Sequence, residues 1–198
     1  MGTNPKLLSI MPTALIVHGI YGNPEENWLP WLKQELEALG VKTYVPFFPT
    51  KDDLKPQDWW EAFEPYEKHI KADTILIGHS LGVAFLLKVL EKHAVRASFF
   101  VASAWGDMPY NTYQPVMAPI ADQKFDWKRI RKHCPHVEIF HSDNDPYPRL
   151  ERGETLAKNL GAKLTVIRGA GHFNKDAGYT TFPLLLERIM TICLHNKK

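Results

Sequence analysis

Residues 74–90 run Thr74-Ile75-Leu76-Ile77, then Gly78-His79-Ser80-Leu81-Gly82, then Val83-Ala84-Phe85-Leu86-Leu87-Lys88-Val89-Leu90. The first four lack polar alternation, the pattern of a strand covered on both faces. In the last group Val83, Leu86, Leu87 and Leu90 recur at intervals of three and four, while Lys88, Glu91 and Lys92 fall opposite, the pattern of an amphipathic helix. Five residues remain for the turn. A strand entering a helix through Gly-x-Ser-x-Gly strains its serine, and the residues two away must lack side chains to avoid collision. Ser80 then stands at the strand end, and the helix N-terminus directs N–H groups toward charge developing beside its hydroxyl.

Outward from this turn the same alternation repeats. Short β-branched or aliphatic runs at 14–17, 42–46, 98–102, 137–140 and 164–167 join 74–77 as six expected strands. Between them, Trp28, Leu29, Leu32, Leu36 and Leu39 fall at helical spacing ahead of Gly40, and further helices fit 57–70, 149–160 and 183–194. Six strands alternating with helices give an α/β protein, a three-layer αβα sandwich on a mainly parallel six-stranded sheet. Functional groups are expected beyond the C-terminal strand ends. Residues 104–125 break the alternation. Trp105, Pro109, Tyr110, Tyr113, Pro115, Met117 and Pro119 read as an irregular aromatic loop over the site, too apolar to be disordered.

The chain has 198 residues, which suits one domain over 1–198 that buries roughly 70% of the unfolded surface. Lys plus Arg is 24 against Asp plus Glu 22, a formal charge of +2, so composition gives no basis for a nucleic-acid or membrane-surface footprint. The apolar run at 7–17 is interrupted by Ser9, Pro12 and Thr13 and is followed by no small-residue cleavage site, which reads against a secretory signal. Cys134 and Cys193 have no CxxC partner and read as thiols in a reducing compartment, the cytoplasm. No cofactor is expected. The group His141, Asp143, Asp145 and His172 is set aside as a metal site, because its spacing on a turn presets no coordination geometry and leaves Ser80 unexplained.

A serine hydroxyl is protonated at neutral pH and needs a base to attack. Behind such an elbow the partners follow in the chain order acid, then histidine. His172, in Gly169-Ala170-Gly171-His172-Phe173 directly after the sixth run, is the expected base. Other histidines suit surface, cap or packing roles, His79 pointing away from the serine and bonding locally. The acid belongs to Ser142-Asp143-Asn144-Asp145-Pro146, after the fifth run. Asp145 is preferred because Pro146 extends its predecessor, while Asp143 suits a turn that bonds its own loop. An oxyanion hole needs two converging N–H groups. Leu81 supplies one and the segment His18-Gly19-Ile20-Tyr21 the other, Ile20 ahead of Tyr21. Adjacency to these motifs makes Tyr21, Trp105, Tyr147 and Phe173 the expected pocket lining, with Trp105 equally suited to closing the core at a strand end.

Taken together, His18-Gly19, Asn27-Trp28 with Trp31-Leu32, Asp58-Trp59, the elbow, Asp143-Asn144-Asp145-Pro146, and Gly171-His172-Phe173 with Gly178 resemble the small serine hydrolases of the α/β-hydrolase superfamily. The resemblance runs from about residue 15 to residue 194. It implies a strand order of 2-1-3-4-5-6, a minimal α/β-hydrolase fold without a separate lid domain, Ser80, Asp145 and His172 at the triad positions, and activity on small acyl esters. His141 is a departure, standing where relatives often have a small residue. The expectation is a serine hydrolase that cleaves a small carboxylic ester, amide or thioester through an acyl-serine, with a small-molecule acyl substrate as its partner. A binding protein on the same scaffold is the alternative.

Overall fold

The structure, a computed structural model, describes residues 12–107 and 114–194. Pro109, Tyr110 and Tyr113 of the aromatic segment, most of the N-terminal apolar run and His195 lie outside the described residues. In chain order the elements are β1 (Thr13–Val17), α1 (Leu29–Ala38), β2 (Lys42–Tyr44), α2 (Pro56–Glu67), β3 (Ile75–His79), α3 (Leu81–Lys92), β4 (Ala97–Val101), α4 (Gln114–Ala121), α5 (Trp127–His133), β5 (Val137–Ser142), α6 (Leu150–Leu160), β6 (Lys163–Ile167) and α7 (Pro183–Leu194), with a 3-10 turn at Lys175–Ala177 before α7. The six strands form one sheet in the order β2-β1-β3-β4-β5-β6, and every pairing is parallel.

Strand side chains alternate between faces with period two, so the sheet carries a core on each. On one face Leu15, Val17, Leu76 and Phe100 pack under α3, α2 and the α4–α5 region, where Phe48, Trp59, Phe63 and Phe85 form a ring cluster with centroids 4.9–5.6 Å apart. On the other, Ala14, Ile16, Ile75, Ile77, Phe99 and Val101 pack under Leu29, Leu32 and Leu36 of α1 and Leu185 and Ile189 of α7. Central β3 is buried at all five positions, as the unbroken apolar run requires, whereas edge strand β6 is only partly covered.

Most boundaries lie within one to three residues of those expected. The expected irregular loop at 104–125 is corrected. Part of it is helix α4, which buries Met117, Ile120 and Ala121 against α3. Pro115 sits in the first turn, where a missing N–H costs nothing. The carbonyls at the other end are satisfied from outside, with Gln123 Nε2 donating to Pro119 and Ile120 and the Gly106 N–H donating to Ala121. Among the described residues no helix is long and apolar enough to cross a membrane.

Candidate active site

Ser80 links β3 to α3 with φ 53° and ψ −122°, a region an L-residue occupies only when its surroundings hold it there. They do. Its N–H donates to Val101 of β4, and its carbonyl accepts from Val83 and Ala104. A Cβ on Gly82 would lie 2.4 Å from the Val17 carbonyl oxygen, so the first turn of α3 can pass β1 only with a glycine at this position. A Cβ on Gly19 would lie 2.8 Å from Ser80 Cβ. The β1–α1 loop therefore passes directly against the serine.

That loop is set by His18, a buried imidazole. The Phe48 N–H donates to Nε2 at 3.0 Å, so Nδ1 carries the proton and donates to the Gly19 carbonyl at 2.7 Å, which also accepts from the Gly22 N–H. In a trans peptide the N–H points opposite the C=O, so fixing the Gly19 carbonyl turns the Ile20 N–H the other way. The Tyr21 N–H is donated to Thr50 Oγ1 at 3.0 Å. Burial holds the His18 pKa below its ordinary value, which keeps this arrangement neutral.

His172 follows β6 on a loop gripped by the turn after β5. Asp143 Oδ1 accepts from the Gly169 N–H and Asn144 Oδ1 from the Gly171 N–H, both at 2.8 Å. His172 Nδ1–H donates to the Asp145 carboxylate at 2.8 and 3.1 Å. The carboxylate also accepts from the Tyr147 N–H, and the Tyr147 ring stands edge-on to the imidazole at 4.8 Å. Asp143 thus bonds across to the histidine loop rather than to its own, contrary to expectation, and 26 residues of sequence separation hid that contact. His79 differs likewise. Its Nε2 donates to the His172 carbonyl at 2.8 Å instead of bonding locally, and burial pushes its pKa down to about 3.

Ser80 and His172 line one open cavity of about 550 Å³, together with Ile20, Tyr21 and Tyr147. The other two expected lining residues are placed elsewhere. Phe173 is fully buried and stacks on Phe182 at 5.4 Å, because its carbonyl, bonded by Trp28 Nε1, turns the side chain into the α1–α7 core. Trp105 closes the opposite core, with its ring against Trp127 and Nε1 donating to the Arg152 carbonyl. Met117, from the segment expected over the site, lines the cavity, and sequence reasoning missed Glu26, Asn27, Asn174, Lys175 and Asp176, which line it too. Closeness in the chain to His172 was the available signal for the last three. His141 is buried under the acid loop, its Nε2 without a partner among the described residues. Among those residues no group of three or more His, Cys, Asp or Glu side chains is placed to hold a metal ion.

A parallel sheet in this strand order, with a serine elbow at β3 and an Asp–His pair at the ends of β5 and β6, defines an α/β hydrolase. The serine hydrolase family model matches residues 14–191, and the chain belongs to that family. It is 27% identical to YdeN of Bacillus subtilis (strain 168) over 87% of this chain and 91% of YdeN. It is 28% identical to serine hydrolase RBBP9 of Rattus norvegicus over 81% of this chain and 86% of that protein. The crystal structure of the B. subtilis ydeN product superimposes with a TM-score of 0.84 at 24% identity, covering 92% of this chain and 98% of that one, and shares the fold.

Proposed function

We propose that this hydrolase cleaves small carboxylic esters through an acyl-Ser80 intermediate. The observation that carries the reading is the 2.8 Å Asp145–His172 hydrogen bond, with His172 lining one cavity together with a serine held at positive φ. His172 takes the Ser80 proton as Oγ attacks the carbonyl carbon, and Asp145 stabilises the imidazolium. The oxyanion is met by the N–H groups of Leu81 and Ile20, the Tyr21 N–H being committed to Thr50. Each such donor contributes about 3 kcal/mol to the transition state. The tetrahedral intermediate expels the alcohol with the His172 proton. Water, deprotonated by the same imidazole, then releases the acid and restores Ser80. The activity belongs in the cytoplasm on this reading, a compartment compatible with the free, buried thiol of Cys134.

Incubation with a fluorophosphonate probe tests the mechanism. Wild type forms an adduct on the Ser80 peptide and hydrolyses nitrophenyl acetate, and Ser80→Ala does neither while remaining folded. Equal labelling of the two proteins overturns the assignment.

A further inference from the structure

Resting on that hydrolase reading, we infer that the physiological ester joins an apolar acyl group to a hydroxyl-rich alcohol, because the cavity has one wall of each character and the catalytic histidine stands with the polar one. Ser80 lies at the sheet's C-terminal edge, where the two cores meet the cavity from opposite faces. From the α3 face come Met117 of α4, buried in that core, and Ile20, packed on it. Glu26 of the β1–α1 loop and Lys175 and Asp176 of the β6–α7 loop also line the cavity, on the two segments whose Trp28 and Phe173 enter the other core. Those two loops are tied together by the Lys175 N–H, which donates to Asn27 Oδ1 at 2.8 Å, so the polar wall is built rather than incidental.

The chemistry orients the substrate between them. The leaving oxygen receives its proton from His172, whose segment is held against the β1–α1 loop on both sides, by Trp28 Nε1–H donating to the Phe173 carbonyl at 2.9 Å and by the Lys175 N–H donating to Asn27, so the alcohol departs toward Glu26, Lys175 and Asp176. The acyl chain, on the other side of the reacting carbon, then lies toward Met117 and Ile20. The polar wall offers an ammonium donor and two carboxylate acceptors. Hydroxyl groups donate and accept, and so satisfy both signs. An alkyl alcohol would cover these groups and return no hydrogen bond, and an alcohol carrying one charge would meet repulsion from part of the wall.

The test compares glycerol monobutyrate with butyl butyrate, each kcat/KM taken relative to that ester's hydroxide-catalysed rate. Wild type should favour the glycerol ester by about tenfold or more, and the Lys175→Ala/Asp176→Ala double variant should reduce that ratio at least about threefold. On the acyl side, Met117→Ala should move the optimum of a nitrophenyl ester series to longer chains. Met117→Phe, which keeps the core filled, should move it to shorter ones. A ratio near one in wild type, a ratio unchanged in the double variant, or an acyl optimum indifferent to residue 117 overturns the inference. Fluorophosphonate labelling of Ser80 separates the two levels. A labelled enzyme that cleaves both butyrates without preference refutes the substrate class alone, whereas absent labelling with no turnover refutes the hydrolase mechanism and the substrate class with it.

Discussion

His18 is engaged at both ring nitrogens, accepting at Nε2 from Phe48 and donating from Nδ1 to Gly19. No substrate contact is needed for it to matter. Its bond fixes the carbonyl whose peptide carries the Ile20 N–H, so under the proposed mechanism it is a positioning residue. His18→Ala leaves that carbonyl with the Gly22 N–H alone, and a loosened donor forfeits part of the 10²–10³ that a deleted oxyanion donor loses, roughly tenfold to a hundredfold in kcat. KM for nitrophenyl acetate should move much less, because the ground-state carbonyl gains little from the hole. Steady-state kinetics check this, and a loss confined to KM would contradict it. From sequence, His-Gly after a strand marked the loop, but the bond to Phe48 that sets the tautomer joins residues 30 apart and left no pattern to read.

The turn after β5 and the loop after β6 are zipped by three successive contacts, Asp143 to Gly169, Asn144 to Gly171 and Asp145 to His172. The first two are to backbone and shape the loop, while the third touches the imidazole. Asp145→Asn should therefore lower kcat by about 10⁴, as loss of the carboxylate that sets the histidine tautomer does in comparable triads. Asp143→Ala should lower it less than about tenfold and cost about 1 kcal/mol of stability or less, because water takes up the exposed Gly169 N–H. The two variants, assayed on one ester and melted side by side, decide between the aspartates. Equal losses of activity would make the loop, rather than Asp145 itself, the critical feature. The sheet elements were legible because buried parallel strands write unbroken apolar runs and the elbow writes its glycines. Helix α4 was not, because Pro115 and Pro119 read as breakers, and the groups that satisfy its end, Gln123 and the Gly106 N–H, lie outside it. Adjacency to the motifs points Phe173 and Trp105 toward the pocket. Adjacency does not reveal which way a backbone turns, and both side chains turn into the cores.

At the scale of the whole molecule, three buried imidazoles lie beneath the loops around Ser80 and His172. His18, His79 and His141 are all buried with pKa values held below the ordinary 6.5, chiefly by burial. The unfolded chain protonates all three near pH 6.5, while the folded one resists. The unfolded state therefore binds more protons in acid, and the stability these groups confer is complete above pH 6.5 and lost as pH falls below it. For His79, with a folded pKa of about 3, the loss runs down toward pH 3 and amounts to about 2 kcal/mol by pH 5, at roughly 1.4 kcal/mol per pH unit. His18 and His141 add in the same direction. Asp122, whose pKa burial raises, opposes them, since its protonation favours the folded state. Urea unfolding at about pH 7.5 and pH 5 should show the midpoint falling in acid, and His79→Gln, which cannot titrate, should remove about 2 kcal/mol of that difference whatever it does to stability at neutral pH. A variant with the same acid dependence as wild type would mean that His79 takes up its proton in the folded state, and its Nε2–H bond to the His172 carbonyl would then tie the loop that carries His172 without depending on a neutral ring.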